Sequence, residues 1–245
     1  MTSKRMWFES WFDSPYYHLL YKHRDSAEAE SFLSCLIDRL EMRTGSTLLD
    51  IACGRGRHSI YLNSRGFDVT GFDISTSSIE FDKKFENEKL CFHVHDMRLP
   101  FRKNAFDYAV NLFSSFGYFE DDSENQRSLQ SAADNLKPGG TFIFDYANMA
   151  WVVKHGLTPS VEIHDDIEFR ITKDLTENFI TKEISFSSQG EQFHFEERLR
   201  LFGSNQLQAM ITATGLKIIH VFGDYSLNPF VESSSKRVVI VAVKK

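Results

Sequence analysis

Between Leu48 and Asp145 the chain alternates short apolar runs with longer amphipathic stretches. Few folds accommodate that rhythm other than a parallel sheet built from repeated strand–helix units. Leu48-Leu49-Asp50-Ile51 reads as the first buried strand, and Arg57 to Ser64 as a helix closed by Gly66. Val69-Thr70-Gly71-Phe72 predicts the second strand, after which Ser75 or Thr76 caps a helix running through Ile79 to Phe85. Cys91 to Val94 supplies the third strand and Phe106 to Leu112 the fourth. A helix over about 124–136 leads to Lys137-Pro138-Gly139-Gly140, a turn that launches a fifth strand from Thr141 to Asp145.

The flanks read differently. Trp11, Tyr16 and Leu20, then Phe32, Cys35, Leu36 and Leu40, follow mixed three and four spacing, which predicts two amphipathic helices broken near Asp25-Ser26. After about Asn148 the rhythm breaks, and residues 160–202 alternate polar with apolar around a Gln189-Gly190 turn signal, the pattern of an antiparallel excursion. Gln206 to Ala213 predicts a helix ended by Gly215, and Leu216 to Val221 with Arg237 to Val243 supply two closing strands. At 245 residues and 42% hydrophobic content, one large core is the economical organisation. The expected layout is one α/β domain over 1–245: a helical cap (1–45), a ligand-binding core (46–149), an antiparallel insertion packed as a lid (150–202), and a closing helix and strands (203–245).

Charge and cysteine usage narrow the partners. Lys and Arg number 28 against 34 Asp and Glu, a net charge of −6, so phosphate backbones and anionic lipid are repelled. Nucleic acid is therefore not the expected partner. Cys35, Cys53 and Cys91 are odd in number and lack metal-ligand spacing, which predicts free thiols in a reducing cytoplasm and no metal site. No leader-like opening and no run of uncharged apolar residues long enough for a membrane is present, so a soluble, non-exported protein is expected.

Asp50-Ile51-Ala52-Cys53-Gly54-Arg55-Gly56 joins the first strand to its helix. Small residues at 52, 54 and 56 let the backbone approach a ligand, and the helix that follows offers unpaired N–H groups. Asp73 ends the next strand seventeen residues past Gly56, where a carboxylate accepts both hydroxyl protons of a ribose. A nicotinamide dinucleotide fits poorly: its pattern requires a third small residue where Ser59 stands, and Asp50 repels a pyrophosphate while attracting a cationic amino group. Asp50 either meets that amino group, directly or through water, or is satisfied by loop N–H groups.

These residues resemble the class I S-adenosylmethionine-dependent methyltransferase family. Leu48 to Gly56 is similar to its glycine-rich motif, Gly71 to Ser75 to its ribose motif and His95-Asp96-Met97 to its adenine motif. Phe106 to Leu112 and Leu136 to Asp145 are similar to its fourth and fifth strands. The resemblance implies a Rossmann-like seven-stranded, mostly parallel sheet whose last strand is antiparallel, with helices on both faces. It implies S-adenosylmethionine as cofactor and S-adenosylhomocysteine as product. On it, Ala52 belongs to the cofactor-binding loop, Gly54 and Gly56 border the methionine part, Asp73 binds ribose, and Ile74 packs on adenine. Asp96 and the Met97 backbone meet the adenine amine, unless Asp96 is instead a turn cap before Leu99-Pro100. Leu112 and Phe113 lie against the methionine amino group through backbone carbonyls.

The flanks resemble a narrower group, the small-amine N-methyltransferases of glycine and amino sugars. Tyr16-Tyr17-x-x-x-Tyr21-x-x-Arg24 carries that likeness, and it implies that Tyr17 and Tyr21 close over the cofactor while Arg24 pairs with its carboxylate. Core packing for the tyrosines and solvent for Arg24 are the alternatives, and Arg57 and His58 read as surface groups. An aromatic face from Tyr17, Tyr21, Phe116 or Tyr118 would favour a sulfonium. Phe113 to Phe119, directly after the fourth strand, borders the reaction zone. Asp145 is expected to face the acceptor pocket and orient an amine; a hydroxyl acceptor would need a base such as Tyr118, His155 or His194. A small-molecule acceptor, possibly an amine, is therefore the expected partner, with macromolecular transfer, a non-catalytic cofactor-binding module and a nicotinamide oxidoreductase as the rivals. The oligomeric state stays open, a homodimer included.

Overall fold

The computed structural model describes residues 6–22 and 26–245. Three helices open it: α1 (Trp7–Trp11), α2 (Pro15–Leu20) and α3 (Ser26–Arg39). The two expected helices thus become three, because Ser14 caps α2 by accepting from the Tyr16 N–H and Pro15 stands at its first position, where no N–H is missed.

Strand–helix alternation follows with β1 (Thr47–Ile51), α4 (Arg57–Ser64), β2 (Asp68–Asp73), α5 (Thr76–Asp82) and β3 (Leu90–Val94). Next come β4 (Phe106–Asn111), α6 (Asp122–Asn135) and β5 (Leu136–Ala147). Ser75, not Thr76, caps α5, and α6 starts earlier than its apolar pattern does because Asp121 caps it. The Pro138-Gly139-Gly140 turn lies inside β5 as an irregularity: pairing jumps from Phe106–Leu136 to Tyr108–Thr141. A short helix the sequence reading missed, α7 (Met149–His155), follows with Asn148 accepting from Ala150 N–H.

The alternating segment forms an antiparallel meander of β6 (Ser160–His164), β7 (Ile167–Leu175), β8 (Phe179–Ser188) and β9 (Glu191–Arg200). Two of its turns are two-residue loops, Asp165-Asp166 and Gln189-Gly190, and all four residues take the positive φ that such tight hairpins favour. Helix α8 (Ser204–Ala213) and strands β10 (Leu216–Phe222) and β11 (Arg237–Lys244) complete the chain. The main sheet runs β10-β11-β5-β4-β1-β2-β3, with β11 antiparallel to both neighbours and the other pairs parallel. This is the expected seven-stranded Rossmann-like sheet.

Strand alternation divides the core between two faces. Leu49, Phe142, Phe144 and Ile240 pack with α6 and α8, while Leu48, Ile143, Val239 and Val241 pack with α3, α4 and α5. A third cluster joins the cap to the meander, with Trp11 and Leu20 against Phe169, Ile171, Ile184 and Phe186. Each fully buried Leu, Ile or Phe contributes roughly 1.5–3 kcal/mol, so this cluster seats the N-terminal helices on the smaller sheet. No helix among the described residues is long and apolar enough to cross a membrane.

Candidate functional site

The sheet changes direction between β1 and β4, and the carboxyl ends of these strands open a crevice there. A cavity of about 970 Å³ fills it and continues outward beneath α1, α2 and β9. That volume lies at the upper end of the roughly 300–1,000 Å³ common for small-molecule sites.

The loop after β1 makes the floor. Ala52, Gly54 and Gly56 all take positive φ, and the Cys53 N–H donates to the Phe72 carbonyl at 3.0 Å. A Cβ on Gly54 would meet nothing within 4 Å, since the residue borders the cavity. Gly56 answers to a different constraint: its Cβ would come within 2.8 Å of the Phe92 ring and 3.1 Å of Asp82 Cγ. The side of Gly56 that a Cβ would occupy is therefore taken by packing on Phe92.

Asp73 stands where the second strand ends. One oxygen accepts from Gly54 N–H and the other from Ser75 N–H, each at 2.9 Å. The Ile74 N–H contributes as well, so of about four acceptor sites on the carboxylate one remains. Burial pushes the Asp73 carboxyl above its usual range, and the backbone hydrogen bonds oppose that. Asp50 lines the cavity too, and its partner is Ser59 of α4: the hydroxyl donates to it at 2.6 Å and the backbone N–H of the same residue supports it. The serine that spoils a dinucleotide pattern is therefore the donor that holds this carboxylate. Burial pushes Asp50 up to about 7 despite that bond, and Asp73 adds to the rise.

Sequence reading missed a third carboxylate. Asp82, on α5, is fully buried against Gly56, and neither oxygen has a hydrogen-bond partner among the described residues. Burial pushes it up to about 8, with Asp73 and Asp50 raising it further. His18 was also missed; it lines the cavity within 3.3 Å of Ser78 Oγ, and burial with the nearby Arg55 pushes it down to about 4. The capping signal of Ser75 was legible, but its second bond, to Asp13 of the cap at 2.9 Å, was not.

At the other end of the crevice, Ile74, Asp96 and Met97 line the cavity together. Asp96 forms the turn cap that stood as the alternative, with Arg98 N–H donating to Oδ1 at 2.9 Å and Leu99 N–H to its carbonyl at 3.0 Å. Arg98 also grips both carboxylate oxygens and reaches Glu124 at 2.6 Å. Burial raises Asp96, but these bonds outweigh it and hold the carboxyl below its usual range.

Leu112 and Phe113 border the cavity after β4. Phe113 and Ser114 both adopt positive φ, an uncommon pairing for residues with side chains. His58 stacks on the Phe113 ring at 4.9 Å and Arg57 lies over it at 4.5 Å, so both line the cavity in place of the surface expected for them. Tyr17, Tyr21 and Tyr118 line it as well, and the Tyr118 hydroxyl donates to the Ser114 carbonyl at 2.9 Å.

Asp145 is corrected outright. It has no exposed surface, and it accepts from Arg237 Nε at 2.8 Å, Phe113 N–H at 2.7 Å and Tyr225 OH at 3.1 Å. A carboxylate so occupied positions the loop and cannot orient an acceptor. Phe116 is likewise removed from the sulfonium candidates, being core between Phe144 and Phe202. His155 stacks on Trp151 and His194 pairs with Ser185 on the meander, and neither borders the cavity. Arg24 lies outside the described residues.

A crevice with one ribose-competent carboxylate, open backbone at Gly54 and no phosphate-binding glycine run suits a nucleoside with a charged amino-acid tail. Residues 48–140 match the family model of a methyltransferase domain. The chain is 27% identical over 218 residues to dTDP-3-amino-3,4,6-trideoxy-alpha-D-glucopyranose N,N-dimethyltransferase of Streptomyces venezuelae, covering 84% of this chain and 91% of that one. It is 26% identical over 181 residues to glycine N-methyltransferase of Rattus norvegicus, covering 66% of this chain and 60% of that one. Its fold matches the crystal structure of an S-adenosylmethionine-dependent methyltransferase from Clostridium acetobutylicum with a TM-score of 0.78, at 20% identity over 94% of this chain and 96% of that one.

Proposed function

We propose that this chain, which belongs to the class I S-adenosylmethionine-dependent methyltransferases, transfers the methyl group to the amine nitrogen of a small molecule. The observation that carries the reading is the single cavity that joins the Asp73 and Met97 crevice to a second compartment under the cap and β9, with room for cofactor and acceptor side by side. Both curated relatives named above act, by their names, on amines. The acidic balance of the chain favours a small acceptor over RNA.

When bound, S-adenosylmethionine supplies a methyl group on a positively charged sulfur, which is already electrophilic. The protein's task is therefore alignment and exclusion of water. Asp73 accepts from the ribose hydroxyls with the capacity its backbone donors leave open. Gly54 keeps its backbone face clear, and Ile74 with Met97 bounds the adenine. Asp96, held by Arg98, stands at the adenine edge, where the Met97 backbone meets the adenine amine. Leu112 and Phe113 border the methionine tail on the loop that Asp145 anchors. Tyr17, Tyr21 and Tyr118 wall the space between the reacting centres from solvent.

A screen of small amines, alcohols and thiols that follows S-adenosylhomocysteine release tests the reading. Turnover with amines supports it. Turnover confined to alcohols or to RNA, or tight cofactor binding with no release for any acceptor, overturns it.

A further inference from the structure

The outer compartment of the cavity is walled by rings that touch in series. Trp7 meets Phe12 and Tyr118 with ring centres 5.5 Å apart, Phe12 meets Tyr118 at 5.2 Å and Tyr17 at 5.0 Å, and Tyr17 meets Tyr21 at 4.9 Å. One carboxylate closes the series. Glu197 of β9 lines the same cavity, and its Oε1 accepts from Trp11 Nε1 and from Tyr21 OH, each at 2.7 Å. The two bonds come from α1 and from the end of α2, so the acidic group is fixed at the seam between cap and meander.

Other charges nearby have partners of their own. Arg198 pairs with Glu120 and Glu196, and Lys22 with Asp165. Lys182 bonds the Tyr21 hydroxyl and stands 3.7 Å from Glu197 Oε2, but it does not line the cavity. The wall of this compartment is therefore formed by aromatic rings and the Glu197 carboxylate, with Lys182 over the outer Tyr21 ring. Ring faces carry negative potential, and a set of them around one space with an acidic group favours an organic cation over a neutral molecule of equal shape.

We propose that this compartment is an alkylammonium site, with Glu197 as its specificity-determining residue. The acceptor's nitrogen docks as an ammonium against the Glu197 carboxylate, which takes the proton that the nitrogen must lose before its lone pair can attack the methyl group, and its carbon-bound hydrogens lie on Trp7, Phe12, Tyr17 and Tyr118. The inference rests on the amine reading above and names the side chains that select the amine.

Binding of choline and of its uncharged carbon analogue 3,3-dimethylbutan-1-ol to the full chain saturated with S-adenosylhomocysteine is the test, read by calorimetry and by tryptophan fluorescence. The expected result is choline tighter by about ten-fold or more, with Glu197→Gln abolishing the preference and leaving S-adenosylhomocysteine affinity unchanged. Gln retains the oxygen that Trp11 and Tyr21 donate to, so the variant keeps the seam. Phe12→Leu, which disturbs no hydrogen bond, should also lose the preference and serves if Glu197→Gln does not fold. Equal binding of the two probes overturns the inference, as does a protein that binds S-adenosylhomocysteine but not choline. Mutual exclusion of choline and S-adenosylhomocysteine also overturns it, because the rings then belong to the cofactor. Failure to bind S-adenosylhomocysteine at all overturns the methyltransferase reading itself and is distinguishable from these.

Discussion

Asp145 accepts the backbone N–H of Phe113 at 2.7 Å, and the bond holds Phe113 and Ser114 in two successive left-handed conformations beside the cavity. The same carboxylate takes Arg237, so a charge pair at the ends of β5 and β11 stabilises a loop that side chains disfavour. Its role is to shape the wall and not to meet the acceptor.

Asp145→Asn should consequently act on stability and on cofactor affinity together. It leaves the Arg237 cation without its buried partner, which costs about 3–5 kcal/mol when one member of such a pair is removed. Urea denaturation and S-adenosylhomocysteine calorimetry check this. Unchanged stability would show that the pair does not hold the loop.

Asp73→Ala should weaken S-adenosylhomocysteine binding by roughly 1–3 kcal/mol, because the ribose hydroxyls lose a charged acceptor. Unaltered affinity in calorimetry would remove Asp73 from the site.

The two glycines of the loop should separate. Gly56→Ala forces a Cβ to 2.8 Å from Phe92 at a φ of +63° and should cost about 2 kcal/mol of stability or more. Gly54→Ala meets no atom within 4 Å; it should lose only about 1 kcal/mol from its left-handed backbone and instead impair cofactor binding. Denaturation and calorimetry on both variants would expose a reversed pattern.

Asp82 makes stability depend on pH with a definite sign. In the fold its carboxyl keeps its proton up to about pH 8, whereas the unfolded chain releases it near 3.8. The native state then holds more protons across that window, so the contribution to stability is largest below about pH 4, falls as pH rises to about 8, and is flat above. Asp82→Asn, neutral throughout, should lie near the wild type at pH 3.5 and exceed it by about 1–3 kcal/mol at pH 9. Melting curves that stay parallel between these values would refute the assignment.

Most elements were legible because each carries its own signal: periodicity for the strands and helices, Ser75 for the start of α5, Gln189-Gly190 for the β8–β9 turn. Glycine spacing and strand-end acids brought Asp50, Ala52, Gly54, Asp73, Ile74, Asp96 and Met97 to one cavity. What escaped was whatever depends on a partner distant in the chain. Asp82 reads as an ordinary polar residue of a helix until Gly56 and Phe92 are seen to enclose it. Asp145 sits at the right strand end for an acceptor contact, and only Arg237, far along the chain, shows that it is already engaged.

Local spacing alone was enough to establish the parallel sheet, the antiparallel meander and the glycine-rich turn after β1, since backbone geometry within one strand–helix unit depends on neighbours a few residues away. The closure of the outer compartment was decided in three dimensions. Trp11, Tyr21 and Glu197 become a unit only when α1 and the end of α2 pack on β9, and no pattern within a segment encodes a hydrogen bond formed across some 180 positions of chain.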